Sequence, residues 1–101
     1  MKILHLTLKK KWFDMISSGV KKEEYREIKP YWCKRLNKKF DAVQFRNGYS
    51  KDAPFFIIQL IGLYRSFGIV EWGAPEGRMV FILRLGKIIT NRSSGRLNRR
   101  P

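Results

Sequence analysis

The chain has 101 residues, enough for one domain and too few for two separate hydrophobic cores. Hydrophobic residues make up 44% of it and aromatics 14%, which excludes the low-hydrophobicity regime of intrinsic disorder. Lysine and arginine number 22 against 8 acidic residues, a formal net charge of +14, and that balance predicts an anionic partner.

Four of the cations (Arg92, Arg96, Arg99 and Arg100) fall beyond Ile89, and removing them from +14 still leaves +10 for the body of the chain. The basicity therefore belongs to the domain, as a nucleic-acid binder requires; a basic but inert surface is the competing explanation. The longest apolar run, residues 55–63 around Gln59, is too short to cross a bilayer, and no membrane partner is expected. The first six residues alternate and form no apolar signal core, so a cytoplasmic location is expected. The single cysteine, Cys33, cannot make an internal disulfide, and with His5 as the one histidine a Cys/His zinc site is excluded. No cofactor or metal is expected.

In chain order, Ile3, Leu4, Leu6 and Leu8 predict a first strand with residues 4, 6 and 8 on one face and His5 on the other. Over residues 9–18 the period changes. Trp12, Phe13, Ile16 and Val20 recur at three-to-four spacing, an amphipathic helix that Gly19 closes as a left-handed cap. Lys9, Lys10 and Lys11 crowd its first turn, where the helix dipole disfavours positive charge. Phosphate contact by Lys9 and Lys10, or a solvated and frayed helix start, accounts for them.

Residues 21–28 alternate as an unusually charged second strand. Pro30 opens a short helix over residues 31–37, followed by a third strand over residues 42–46 and a turn at Asn47 and Gly48. Residues 55–64 form the most hydrophobic strand, expected to be buried on both faces, and Ser66 to Gly68 break it. A loop carries Trp72 between glycine and proline, and residues 79–89 predict the last strand. From residue 90 onward there is no apolar period, and 90–101 reads as a flexible basic tail. The pattern predicts an α+β fold: one domain over residues 1–89, a small β-barrel of five to six strands with two short helices.

The informative segment is Gly19, Lys21, Glu24 and Arg26, a G-x-K-x-x-E-x-R spacing. Glu24 and Arg26 are two apart on a strand, so they share a face and present an acceptor and a forked donor together. A simple ion pair between them, beside a lysine that faces water, is the structural alternative. Following an amphipathic helix near the N-terminus, this motif resembles the ASCH domain of the PUA-like superfamily of RNA-binding barrels, over roughly residues 1–89. The resemblance implies a PUA-like barrel with RNA or a nucleotide-like ligand in a basic cleft around Lys21, Glu24 and Arg26.

Aromatics interleaved with cations form a second constellation, from which Arg46, Asn47 and Tyr49 at the turn are candidate ligand contacts. Trp72 is a candidate for base stacking or a lid, or else a plug for the barrel end. Some ASCH-like proteins are enzymes, either N4-acetylcytidine amidohydrolases or a ribonuclease, so catalysis through Lys21 and Glu24 is the alternative function. In the amidohydrolases the motif lysine acts with a threonine three residues later; here that position holds Glu24, which removes the hydroxyl. Glu71 or Glu76 would have to supply the distant carboxylate, with no motif to align either. A metal-independent ribonuclease would use Glu24 as base, with Lys21 and Arg26 stabilising the phosphorane.

Overall fold

A computed structural model describes residues 1–92 of the chain. The elements are β1 (Ile3–Thr7), α1 (Lys10–Ser17), β2 (Glu23–Arg26), α2 (Pro30–Arg35), β3 (Ala42–Arg46), β4 (Phe55–Phe67) and β5 (Met79–Arg92), with a 3₁₀ turn over Val70–Trp72. The five strands make one sheet in the order β1-β3-β4-β5-β2. β1 lies parallel to β3 and the other pairs are antiparallel. A parallel pair requires a crossover, and α1, β2 and α2 provide it. The result is the expected small α+β domain, a sheet curled into a half-barrel with two short helices.

Three irregularities in the β4–β5 ladder bend the sheet. Between the Ile58–Ile88 and Leu60–Leu85 pairs, Gly86 and Lys87 face the single residue Gln59. Gln59 stabilises this bulge by accepting the Lys87 backbone N–H at 3.0 Å. A Cβ at Gly86 would lie 2.5 Å from the Gln59 side-chain oxygen, so glycine is needed for the close approach. Ile61 and Ile89 are the extra residues at the other two irregularities. Bulges raise local twist, and a sheet twisted this way curls instead of lying flat.

The concave face holds the main core. Leu4, Leu6 and Leu8 pack with Val43, Phe45, Phe56, Ile58, Phe81, Leu83 and Leu85, and Ile16 of α1 and Leu36 after α2 close over them. Both helices cover this one face, which corrects the expectation that β4 is buried on both faces. Phe56 and Ile58 are buried, yet Ile61 is 60% exposed and Tyr64 and Phe67 also reach solvent. Among the described residues no helix packs on the convex side, which leaves Ile61 and Tyr64 open there, while Phe67 shares a face with Arg65 and Phe81 but lies at the far end of β4. β4 also continues to Phe67, and β5 reaches Arg92 where the sequence predicts an end at Ile89. The remainder of the expected basic tail, residues 93–101, lies outside the described residues. No helix of the described residues is long and apolar enough to cross a membrane.

Candidate functional site

β1 and β2 are the two edges of the sheet, and the curl turns them toward each other. Between them lies a cleft of about 320 Å³, at the small end of the range for ligand sites. Thr7, Leu8 and Lys9 form one wall, Glu24 and Arg26 of β2 the opposite one, and Trp12 of α1 and Trp72 complete it.

The end of α1 places the lysine. Gly19 takes the left-handed conformation (φ 88°) and donates its N–H to the Ile16 carbonyl at 3.0 Å. The Lys21 N–H then reaches back to the Met15 carbonyl at 2.9 Å, which drives the side chain under the sheet edge. Lys21 is only 2% exposed, among the largest fully buried side chains described. Its Nζ donates to the Trp72 carbonyl at 2.5 Å and lies 3.0 Å from Glu24 Oε1. The rings of Tyr25 and Trp12 flank it, 4.6 and 5.1 Å from the ammonium. Burial pulls its pKa below the ordinary lysine value, and the Glu24 charge and hydrogen bond oppose that shift.

Glu24 also accepts from Arg26 Nη1 through its second oxygen, so one buried carboxylate joins two cations. Arg26 donates further to the Tyr25 carbonyl at 2.7 Å and lies over Trp32 at 5.2 Å. The expected sharing of one face by Glu24 and Arg26 is present, and their ion pair is present with it. The lysine, however, does not face water. It sits beneath the cleft instead of lining it, and braces Glu24 and the Trp72 backbone.

On the convex side of β2 a second polar group anchors the Trp72 loop. Tyr25 donates its hydroxyl to Glu23 Oε1 at 2.8 Å and accepts the Ile69 N–H at 3.0 Å. Arg84 Nη1 holds the other Glu23 oxygen at 3.1 Å. Burial raises the Tyr25 pKa above its ordinary value. Gly68 is pressed against this tyrosine, where an added Cβ would meet the ring at 2.6 Å. Gly73, at φ 103°, lets the chain pass Trp12, whose ring would stand 3.0 Å from a Cβ there. These contacts fix the loop from both sides and set Trp72 at the cleft.

The structure thus gathers Lys21, Glu24, Arg26, Trp72 and Lys9 at one place. Lys10 is elsewhere, paired with Asp14 at 2.7 Å on the exposed side of α1. Arg46 donates to the Ser50 carbonyl at 3.1 Å and closes its own turn. Asn47 donates to the Leu8 carbonyl at 3.1 Å, supporting the cleft wall from behind. Tyr49 is 91% exposed and lines no part of the cleft; neither do Glu71 and Glu76. No family model, curated protein or solved structure matches this chain. The chemistry of the site follows from its own geometry.

That chemistry is cationic and aromatic. Lys9, Lys21 and Arg26 stand against the single carboxylate of Glu24, and two indoles wall the space between. Sequence reasoning assigned Trp12 to the helix core and missed Thr7; only the meeting of β1, α1 and β2 puts both at the cleft. Among the described residues no group of three or more His, Cys, Asp or Glu could hold a metal ion.

Proposed function

We propose that this chain binds RNA or a nucleotide-like ligand in the cleft between β1 and β2. One observation carries the reading: a carboxylate bridging a buried lysine and Arg26 sits on the wall of a cleft flanked by two tryptophans. Indole faces accept a base by stacking, worth about 1–3 kcal/mol per base. Arg26 and Glu24 offer a donor fork and an acceptor to a base edge, and Lys9 at the rim offers a charge to phosphate. The same residues carry the resemblance to the ASCH domain. In this reading Lys21 acts without touching the ligand, holding Glu24 and the Trp72 carbonyl in place.

The test is titration of the full chain with mononucleotides and labelled single-stranded RNA across a salt series, following affinity and RNA integrity together. Binding that weakens steeply with salt and falls in Trp72→Ala and Arg26→Gln supports the reading. Absence of binding even at low salt overturns it. A second reading, a metal-independent ribonuclease, is favoured by the presence of Glu24 itself on the cleft wall. Cleavage abolished by Glu24→Gln while binding persists would establish that instead. Against it, a carboxylate that must accept a proton is poorly served by two flanking cations.

A further inference from the structure

We propose that the two grooves beside α2 and the segment that follows it, residues 36–40, form a second contact surface, which holds the phosphate backbone of a single-stranded RNA beside the cleft. The proposal extends the RNA-binding reading and rests on it for the choice of ligand.

A groove of about 590 Å³ separates α2 from the start of β1, and its cations are Lys34, Arg35 and Lys38. A neighbouring groove of about 630 Å³ shares Lys38 and Phe40 and adds Lys39 and Arg65. No acidic side chain lines either one. Some cations elsewhere stand beside acids, Lys10 with Asp14, Lys29 and Arg78 with Glu27, and Arg84 with Glu23, an arrangement that these two grooves lack. Lys34, Lys38 and Lys39 are exposed and form no ion pair among the described residues. The nearest acid in sequence, Asp41, is occupied by the Lys2 backbone N–H at 2.7 Å. Like charges gathered this way repel one another, and a polyanion laid along them relieves that repulsion while releasing its counterions.

The grooves are also joined to the cleft. Trp32 stacks with Arg26 of the cleft at 5.2 Å and with Arg35 of the groove at 5.5 Å. Arg35 is held rigidly, donating to the His5 carbonyl at 2.6 Å. Tyr31, edge-on to Trp32 with centroids 4.8 Å apart, is 58% exposed on the groove side and offers a stacking face. Along β1, His5 lines the groove and Leu8 the cleft, a separation of about 10 Å at the usual rise per strand residue. A polynucleotide chain spans that distance; a mononucleotide held in the cleft does not reach the groove.

The experiment compares the full chain with Lys34→Gln/Lys38→Gln/Lys39→Gln, changes confined to exposed, unpaired side chains. Each protein is titrated with 5′-mononucleotides and with mixed-sequence RNA oligonucleotides of 3 and 12 nucleotides at several salt concentrations. Wild type should bind the 12-mer far more tightly than a mononucleotide. The variant should lose tenfold or more in 12-mer affinity, and its salt slope should fall by about 2, near the single-strand increment for three lost phosphate contacts. Its mononucleotide affinity should be unchanged. Equal 12-mer affinity and slope in both proteins would overturn the proposal. So would binding to phosphatidylserine vesicles without binding to RNA. Lysine-dependent binding of the 12-mer without any binding of mononucleotides would support the groove and overturn the cleft reading.

Discussion

Replacing Glu24 with glutamine keeps the shape of the side chain and removes its charge. In the folded protein that charge faces Lys21 Nζ at 3.0 Å and also accepts from Arg26. Lys21 is buried, so in Glu24→Gln its ammonium keeps only neutral acceptors, the Trp72 carbonyl and the glutamine amide oxygen, and no counter-charge. Removing one member of a buried pair costs about 3–5 kcal/mol, because the other charge is left uncompensated. Two features place this case near the lower end. Arg26 retains some solvent contact and a bond to the Tyr25 carbonyl, and burial already lowers the lysine pKa, so Lys21 can release its proton instead of remaining charged. The expected loss is about 3 kcal/mol, a large part of the roughly 5–15 kcal/mol available to a domain of this size. In urea unfolding followed by tryptophan fluorescence, that is a midpoint shift of about 2 M at a slope of about 1.5 kcal/mol/M. Lys21→Met/Glu24→Gln should recover more than 1 kcal/mol of the loss, since replacing both partners removes the stranded charge. A Glu24→Gln loss below about 0.5 kcal/mol, or single-variant costs that simply add in the double variant, would refute the buried-triad account.

The two shifted groups predict opposite pH trends. Tyr25 has a raised folded pKa, so the stability it contributes is intact below pH 10 and lost as pH rises beyond it; Tyr25→Phe should flatten thermal melts recorded above pH 10. Lys21 has a lowered folded pKa, so its contribution is present above pH 10.5 and lost as pH falls through the lowered value; Lys21→Met should remove that rise on the alkaline side. Gly68→Ala should cost about 1–3 kcal/mol by overpacking, because the new Cβ meets Tyr25 at 2.6 Å and Ala74 at 2.7 Å; an unchanged melting temperature would show that the loop yields freely. Gly73→Ala combines left-handed strain with pressure on Trp12, and should weaken nucleotide binding in a fluorescence titration more than it lowers stability.

Much of the architecture was legible because local rules and tertiary demands agree. The alternation of Leu4, Leu6 and Leu8 and the helical spacing through Ile16 record which side of each element meets the core, and these residues are buried together. Gly19 marked the helix end for the same reason, since a positive φ is cheapest without a side chain. Parity along a strand was enough to put Glu24 and Arg26 on one face. The exposure of Ile61 and Tyr64 was not legible, because hydrophobicity does not say which face of a central strand the helices will cover. Nor did sequence separate Lys9, at the cleft, from Lys10, paired on the helix surface; Lys9 is still extended and Lys10 is the first residue of α1, so only the exact start and packing of the helix decide which meets the site.

By itself, then, the sequence determined a basic α+β domain, the order and period of its elements, and a motif whose residues can meet. Tertiary structure alone decided that Lys21 is buried and braces the Trp72 loop, that Trp12 and Thr7 join the site, and that no acidic side chain lines the grooves that hold Lys34, Lys38 and Lys39. The physical reason is range. Periodicity, capping and strand parity act within a few residues, whereas the contact between Lys21 and Trp72 crosses 51 positions and exists only because the curled sheet brings its two edges together.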